Sequence, residues 1–178
     1  MDKEKRFKMA VDNFVTELAN YANIDINDSN IVDTSKRIYD MYKEELLEGY
    51  NKSPKEYIKL FESDIDYNEP IVISNIPVKS LCIHHLLPFY GTAKITIKYN
   101  KNAKILGLSK YYRIVDNFSR KLQLQESLTK EIMIFLKDNL DVSYVKVELE
   151  CHHACVGIRG VNNIDNTTYS VSEYKTEK

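Results

Sequence analysis

The sequence predicts an α+β fold, and the spacing of its apolar residues is the main reason. In the first third of the chain these residues recur at steps of three and four, as on one face of an amphipathic helix. From Ile71, and again after Asp141, apolar and polar residues alternate, as in strands that bury one face. A second helical pattern separates the two strand regions. We expect one domain in which residues 1–70 form a helical region and residues 71–178 carry an antiparallel sheet.

Three helices are expected before residue 70. The apolar stripe of the first consists of Phe7, Ala10, Val11, Phe14, Leu18 and Tyr21. The second continues this pattern over residues 38–46 and ends near Gly49, because glycine commonly follows a helix C-terminus. The third is short and has a clear start, with Ser53 as the cap, Pro54 in the first turn and Glu56 completing a capping box.

The first strand pair follows. Residues 71–76 are rich in β-branched side chains and lie between Pro70 and Pro77, which are expected to bound the strand. In residues 91–99, Ala93, Ile95 and Ile97 alternate with threonine and lysine. These residues therefore predict a strand with one buried and one solvated face.

A helix pair and a last strand complete the order. Ser109 is expected to cap a helix that carries Ile114, Val115 and Phe118, and a second helix follows the extended link at 122–125 and runs to about residue 140. Val145, Val147 and Leu149 then face one side of a strand. If the alternation continues, three further side chains project to the same apolar side: Cys151, His153 and Cys155.

Composition excludes several classes of protein. The 178 residues are 43% hydrophobic and 29% charged, as in ordinary globular proteins. Because 25 basic residues nearly balance 26 acidic ones, the charge predicts no binding to nucleic acid or to an anionic membrane. Neither a secretory signal nor a spanning segment is recognisable, so we expect a cytoplasmic protein. Three cysteines, an odd number, argue against a disulfide framework.

The histidines and cysteines cluster in two short segments. Cys82, His84 and His85 lie in one, and His153 and Cys155 lie in the other, preceded by Cys151 and His152. Thiolate sulfur and imidazole nitrogen are the ligands that Zn²⁺ prefers in tetrahedral sites. A lone histidine or cysteine in an apolar strand is more often a core residue, but all such residues of the chain converge here. A structural zinc site would use four of them and a catalytic site three, and spacing alone leaves both open.

Two further segments are candidate binding elements. A helix that begins at Ser109 offers free N–H groups to an anion, and Lys110, Arg113 and Arg159 could add charged contacts to phosphates. Taken alone, such residues are usually a solvated helix face. A carboxylate at Glu126 could accept hydrogen bonds from the N1–H and amino group of guanine, although a helix N-terminal glutamate is also expected there for its dipole.

Four segments in succession resemble the signatures of the GTP cyclohydrolase I family. They read SLCIHHLLPFYG at 80–91, GLSKYYRIVD at 107–116, RKLQLQESLT at 120–129 and HACVGIRGV at 153–161. The resemblance implies a tunnelling fold, in which sheets of neighbouring subunits join around a channel, commonly in a homodecamer with active sites between subunits. It also implies conversion of GTP to 7,8-dihydroneopterin triphosphate with release of formate, the first step of pterin and folate-type biosynthesis.

Roles follow from the resemblance position by position. Cys82, His85 and Cys155 match the zinc ligands, and His84 and His153 match the catalytic histidines. His153 is expected to protonate N7 of the purine and His84 to assist opening of the ribose. The residues that match the substrate contacts are Gln125 and Glu126 for guanine and Ser109, Lys110, Arg113 and Arg159 for the triphosphate. Cys151 and His152 match no family role.

One position departs from the family pattern. Ile83 stands where the family normally has glutamate, directly before the two histidines. The departure keeps two alternatives open. One is a related tunnelling-fold enzyme of pterin or deazaguanine metabolism, although its zinc ligands or nucleophile would differ from the Cys/His/Cys set here. The other is a catalytically silent, zinc-stabilised homologue.

Overall fold

The computed structural model describes residues 1–62 and 69–176. The chain forms two compact units, Met1–Glu48 and Gly49–Lys178. The first is helical and the second combines helices with a mainly antiparallel sheet, which confirms the predicted α+β class. The division expected after residue 70 stays a prediction. Within the described residues, no helix is both long enough and apolar enough to cross a membrane.

The first unit consists of two α-helices and a π-helical turn. Helix α1 spans Lys3–Tyr21, and the carboxylate of Asp2 caps it by accepting a hydrogen bond from the backbone N–H of Lys5 (2.8 Å). Helix α2 spans Thr34–Asp40 and continues into the π-helical turn Met41–Leu46. An ion pair between Lys43 and Glu4 (2.8 Å) connects that turn to α1.

The buried face of α1 differs from the predicted stripe. Val11, Val15 and Ala19 are buried, at successive four-residue steps, whereas Phe14 and Leu18 are more than half exposed. Of the six residues in the predicted stripe Val11 is buried, and the prediction is wrong for the other five, because the largest apolar side chains of α1 flank its buried row of small ones.

Short segments lead into the second unit. Two 3-10 helices span Glu48–Tyr50 and Pro54–Tyr57, and the Ser53 hydroxyl accepts a hydrogen bond from the Lys55 N–H (3.4 Å), which confirms the predicted cap. The remaining elements, in chain order, are β1 Leu60–Phe61, β2 Ile71–Cys82, β3 Pro88–Tyr99, β4 Ile105–Leu106, α3 Leu108–Ser119, β5 Leu122–Gln123, α4 Gln125–Asn139, β6 Val142–His153, α5 Ala154–Gly157 and β7 Thr168–Lys175.

Five strands form the main sheet in the order β5-β2-β3-β6-β7. All neighbours are antiparallel except β5, which pairs in parallel with the end of β2. The prediction that Pro77 ends the first strand is wrong, because β2 runs through it to Cys82. A proline is tolerated there since β5 covers only the last two residues of β2, and the missing N–H lies on an edge strand. A bulge with Asn75 at φ 55° precedes it.

Helices α3 and α4 cover one face of the sheet and enclose the core. Ile114 and Val115 of α3, Leu128 and Ile132 of α4, and the inward residues of β3 and β6 are essentially inaccessible to solvent. Burying each such side chain stabilises the fold by roughly 1.5 to 3 kcal/mol. The predicted alternation of β3 and β6 is confirmed. Helix α3, however, begins at Leu108 with Gly107 as its N-cap and no side-chain cap, so the prediction that Ser109 caps it is wrong.

Two tyrosines form a polar contact inside this core. The hydroxyl groups of Tyr99 and Tyr111 lie 2.7 Å apart, and the Tyr99 oxygen also accepts a hydrogen bond from the Leu106 N–H (2.9 Å). Burial is the largest cause that raises the pKa of both phenols. Both rings therefore stay neutral and hold β4 against β3 and α3.

Candidate functional site

A tight turn brings the first histidine and cysteine segment to the end of β2. The Cys82 N–H donates to the Leu87 carbonyl (2.9 Å), the Leu86 N–H donates to the Cys82 carbonyl (2.8 Å), and the Ile83 N–H donates to the Gln123 carbonyl (3.1 Å). Leu86 has φ 55°, a left-handed conformation that is costly for a leucine. The turn thus buries Cys82 and leaves the side chains of Ile83 to Leu86 exposed.

The second segment leaves the sheet at His153. Strand β6 ends there, opposite Phe89 of β3, and the next four residues form the helical turn α5. The prediction that Cys155 continues the strand face is therefore wrong. The helical turn nevertheless carries the Cys155 side chain back towards Cys82, because a turn of helix moves the chain only about 5 Å along its axis.

Three potential metal ligands meet at this point. Donor atoms of Cys82, His153 and Cys155 all lie within 4.8 Å of one another. Burial, followed by the hydrogen bond and charge of Cys82, raises the pKa of Cys155. A cation would reverse that direction, because it stabilises neighbouring thiolates. Two sulfur atoms and a ring nitrogen at this spacing fit the donor set of a zinc site.

His84 and His85 lie beside this group but make other contacts. The His84 Nδ1 atom is 3.8 Å from the Cys82 sulfur. The Arg159 guanidinium donates from Nη1 to His85 Nε2 (3.0 Å), so this nitrogen of His85 faces Arg159. His85 is thus outside the group of three, and its role as a ligand stays a prediction.

His153 is held by its ring and by its position against the sheet. Its Nε2 atom lies 2.7 Å from Gln125 Oε1, and its ring stacks on Phe89 with centroids 4.8 Å apart and planes 9° from parallel. Burial lowers the pKa of His153, and the charge of Glu126 opposes this. Because the Gln125 amide nitrogen donates to the carbonyls of Leu149 (3.2 Å) and Thr168 (2.9 Å), Oε1 must accept from the histidine. In the neutral ring, Nδ1 then carries the lone pair.

The residues predicted to contact substrate are divided between two helices. Gln125 is buried with its side-chain amide bonded within the protein, and Glu126 is exposed in the first turn of α4. Ser109 and Arg113 are exposed on the first two turns of α3, with Lys110 partly buried between them. Arg159 reaches His85 from the segment after α5.

Sequence reasoning misses two residues at this site. Phe89 stacks on His153, and Asn166 bonds to the backbone of the same residue. The position of Phe89 follows once the register between β3 and β6 is known, but an asparagine in a polar loop gives no such signal. His152, which matched no family role, donates from Nδ1 to the Asn166 carbonyl (2.6 Å) and is a structural residue.

Comparison with known proteins agrees with the resemblance. The family model described as GTP cyclohydrolase I matches residues 11–177. A protein of Blochmanniella pennsylvanica named GTP cyclohydrolase 1 is 35% identical over 161 residues, covering 90% of this chain and 72% of that protein. A Campylobacter jejuni protein of the same name is 42% identical over 144 residues, covering 80% and 73%.

One solved structure with a more distant likeness is the apo form of the archaeosine synthase QueF-Like. It aligns with a TM-score of 0.49 and 15% identity, covering 63% of this chain and 99% of that one. From the family match and the two relatives, the chain belongs to the GTP cyclohydrolase I family of enzymes.

Proposed function

We propose that this protein converts GTP to 7,8-dihydroneopterin triphosphate and formate, the first step of pterin and folate-type biosynthesis, in the cytoplasm. The observation that carries the proposal is the group of Cys82, His153 and Cys155, whose donor atoms lie within 4.8 Å of one another. Family membership supplies the substrate class, since the relatives bear the name GTP cyclohydrolase 1.

Zn²⁺ is the metal that we propose for this site, with Cys82, His85 and Cys155 as ligands. Zinc bound there would supply a Lewis acid that lowers the pKa of a water molecule for attack at C8 of the purine. To bind the metal, His85 would give up its hydrogen bond with Arg159. His153 already faces the sulfur atoms, so it is the alternative third ligand.

The protein's own groups would move the protons. His153 would act through Nδ1, because Nε2 is engaged by Gln125: the lone pair on Nδ1 would take a proton from the attacking water, and the imidazolium so formed would give that proton to N7. His84, exposed in the turn after β2, would assist opening of the ribose. Both rings lie beside the sulfur atoms, at 4.0 Å for His153 to Cys155 and 3.8 Å for His84 to Cys82.

Substrate recognition would come from the two helix starts. We assign the guanine edge to the Glu126 carboxylate and to Gln125, the latter through its backbone because its side-chain amide is bonded within the protein. The first two turns of α3 and the segment after α5 would bind the triphosphate through Ser109, Lys110, Arg113 and Arg159. A phosphate on Arg159 would also withdraw its guanidinium from His85.

The sheet edges favour assembly into a tunnelling-fold ring. Among the described residues, β7 pairs with β6 alone, and β2 pairs with β3 alone before Leu81. Such edges expose unpaired N–H and C=O groups that another chain can satisfy. We propose that they meet between subunits in a homodecamer. Sedimentation velocity should give one species of ten chains, and a stable monomer at high concentration would contradict this assembly.

The activity is tested by incubating zinc-loaded protein with GTP. Formate and the fluorescence of the oxidised pterin are expected as products. His153→Ala should lower kcat by about 10²- to 10⁴-fold, as for loss of a general acid. One bound zinc per chain without any product would instead favour a silent homologue.

The zinc content of variants distinguishes whether His85 or His153 is the third ligand. We expect His85→Ala and Cys155→Ser to lower zinc affinity by at least about tenfold, whereas His153→Ala should keep about one zinc per chain. The reverse result, with zinc lost from His153→Ala and kept by His85→Ala, would assign the third ligand to His153.

A further inference from the structure

We propose that Asn166 is a positioning residue that fixes the backbone of His153 and the adjoining turn of Cys155. The inference rests on the proposed function, because it concerns how the site places its proposed acid and metal ligand. Asn166 lies in the loop between α5 and β7, outside every motif described above.

The side-chain amide of Asn166 bonds to both peptide groups of one residue. Its Oδ1 atom accepts from the His153 N–H (2.9 Å), and its Nδ2 atom donates to the His153 carbonyl (3.2 Å). A planar amide that offers one donor and one acceptor matches a backbone peptide in this respect. Both hydrogen-bonding groups of His153 are thereby satisfied at the point where β6 leaves the sheet.

The register of the sheet explains why an amide is needed there. The last backbone pair between β6 and β7 is Cys151 with Thr168, and continuing that register would pair His153 with Asn166. Strand β7 begins only at Thr168, so no strand lies beside His153 on that side. The Asn166 side chain takes the place of the missing strand residue and extends the ladder by one position.

Asn166 is itself anchored to both sides of the corner. The His152 ring donates to its carbonyl (2.6 Å), and its Nδ2 atom also donates to the Asn163 carbonyl (2.8 Å). The Asn163 N–H in turn donates to the carbonyl of Val156 (3.2 Å), the residue after Cys155. The amide thus connects the histidine, the loop and the helical turn that carries the thiol.

This contact matters for catalysis because it fixes the position of the His153 backbone, from which the side chain projects. Gln125 and Phe89 hold the ring, but the direction of the Cα–Cβ bond depends on the backbone that Asn166 holds. A displacement of about 1 Å at a reacting group can cost about 10²-fold in rate. Loss of the amide should therefore reduce kcat while leaving the contacts of GTP with α3 and Glu126 in place.

The test compares Asn166→Ala and Asn166→Asp with Asn163→Ala. The Asn163 side chain is a matched control, since in the same loop its one hydrogen bond among the described residues is accepted from the Asp165 N–H (3.2 Å). Asn166→Ala should lower kcat by at least about tenfold with KM for GTP within about twofold. Asn166→Asp keeps the acceptor for His153 and should fall between the two. Asn163→Ala should match the wild type in both constants.

Hydrogen exchange measured by mass spectrometry supplies a second readout that needs no turnover. In peptides that contain His153, Asn166→Ala should exchange at least about tenfold faster than Asn163→Ala. If the alanine variant does not fold, the aspartate variant carries the comparison.

A kcat for Asn166→Ala within about twofold of wild type would overturn the proposal, whether or not exchange changes, and so would an equal loss in Asn163→Ala. If the wild type makes no pterin, the proposed function fails. The exchange contrast alone then decides whether the amide holds His153.

Discussion

The orientation of the His153 ring depends on the side-chain amide of Gln125. Its nitrogen has three acceptors within hydrogen-bond distance for its two N–H groups, namely two backbone carbonyls and the Ser170 hydroxyl (3.0 Å), so its oxygen must face the histidine. Gln125 is 1% exposed, and an unbonded polar group at that depth would cost about 1 to 3 kcal/mol. The arrangement therefore fixes both the ring and the nitrogen that stays available for proton transfer.

Replacing Gln125 by methionine should lower both stability and activity. The change keeps the shape of the side chain but leaves His153 Nε2 and two carbonyls without their partner, and we expect a loss of about 2 kcal/mol in urea unfolding. The kcat should fall as well, because the ring loses its orientation. Gln123→Met is the matched control, a second buried glutamine whose amide donates to Phe118 and Glu131 instead. An equal fall of kcat in both variants would contradict the assignment.

At the scale of elements, the contact between β3 and β6 brings the two histidine and cysteine segments together. Gly91 lies opposite Cys151 in this pair, and a Cβ atom on it would stand 1.9 Å from the Glu150 carbonyl oxygen. No side chain fits there, since the obstacle is backbone. The glycine thus permits the close approach of the strands that carry Phe89 and His153.

Gly91→Ala should separate these strands and destabilise the protein by roughly 3 kcal/mol, as severe overpacking does. Thermal unfolding measures the effect, and the proposed zinc binding should weaken in parallel because β6 carries His153 and leads into Cys155. Thr92→Ala, on the exposed face of the next position, should leave both nearly unchanged. A Gly91 variant with wild-type stability would mean that the strand pair tolerates a wider spacing.

The elements that could be predicted are those with a long repeating pattern. The alternation in β3 and β6 and the apolar stripes of α3 and α4 indicate the core, because burial of one face determines both pattern and position. Proline and capping signals in the sequence predict element boundaries less well where contacts with other elements determine those boundaries. Pro77 lies inside β2 because an edge strand needs no N–H there, and Gly107 replaces Ser109 as the cap of α3.

The candidate site also has one part that could be predicted from the sequence and one part that could not. Cys82, His153 and Cys155 converge as the clustering predicts, even though Cys155 reaches the group from a helical turn. The contacts of Gln125, Asn166 and Arg159 could not be predicted, because each joins residues at least 13 positions apart through side-chain geometry.

At the scale of the whole molecule, the sheet has one apolar face under α3 and α4 and one polar face. On the polar face Glu148 is nearly buried between Lys94 (3.2 Å), Lys146 (3.0 Å) and the Tyr169 hydroxyl. Burial alone would raise the pKa of this carboxyl, but the hydrogen bonds from Tyr169, Lys146 and Lys94 outweigh it and lower the pKa to about 2. Three strands are thus joined through one carboxylate.

Stability should therefore fall in acid over a defined range. A carboxyl whose pKa is lower in the folded state stabilises the protein above its unfolded pKa, near 4.5, and the contribution is lost as pH falls towards 2. Denaturant unfolding between these values should show the loss. Glu148→Gln should be less stable at neutral pH and should show a flatter dependence over this range. An unchanged slope in that variant would assign the acid sensitivity to other carboxyls.

The pair formed by the buried Tyr111 and the partly buried Tyr99 also gives the protein an optical reporter. The chain has 13 tyrosines and no tryptophan, so phenolate absorbance tracks the ionisation of tyrosine without indole interference. Tyr99 and Tyr111 resist deprotonation, because burial raises the pKa of both phenols. An alkaline titration should then show a late rise in phenolate absorbance when the packing of α3 on the sheet opens and these two phenols ionise, and the pH of that rise would measure how stable this packing is.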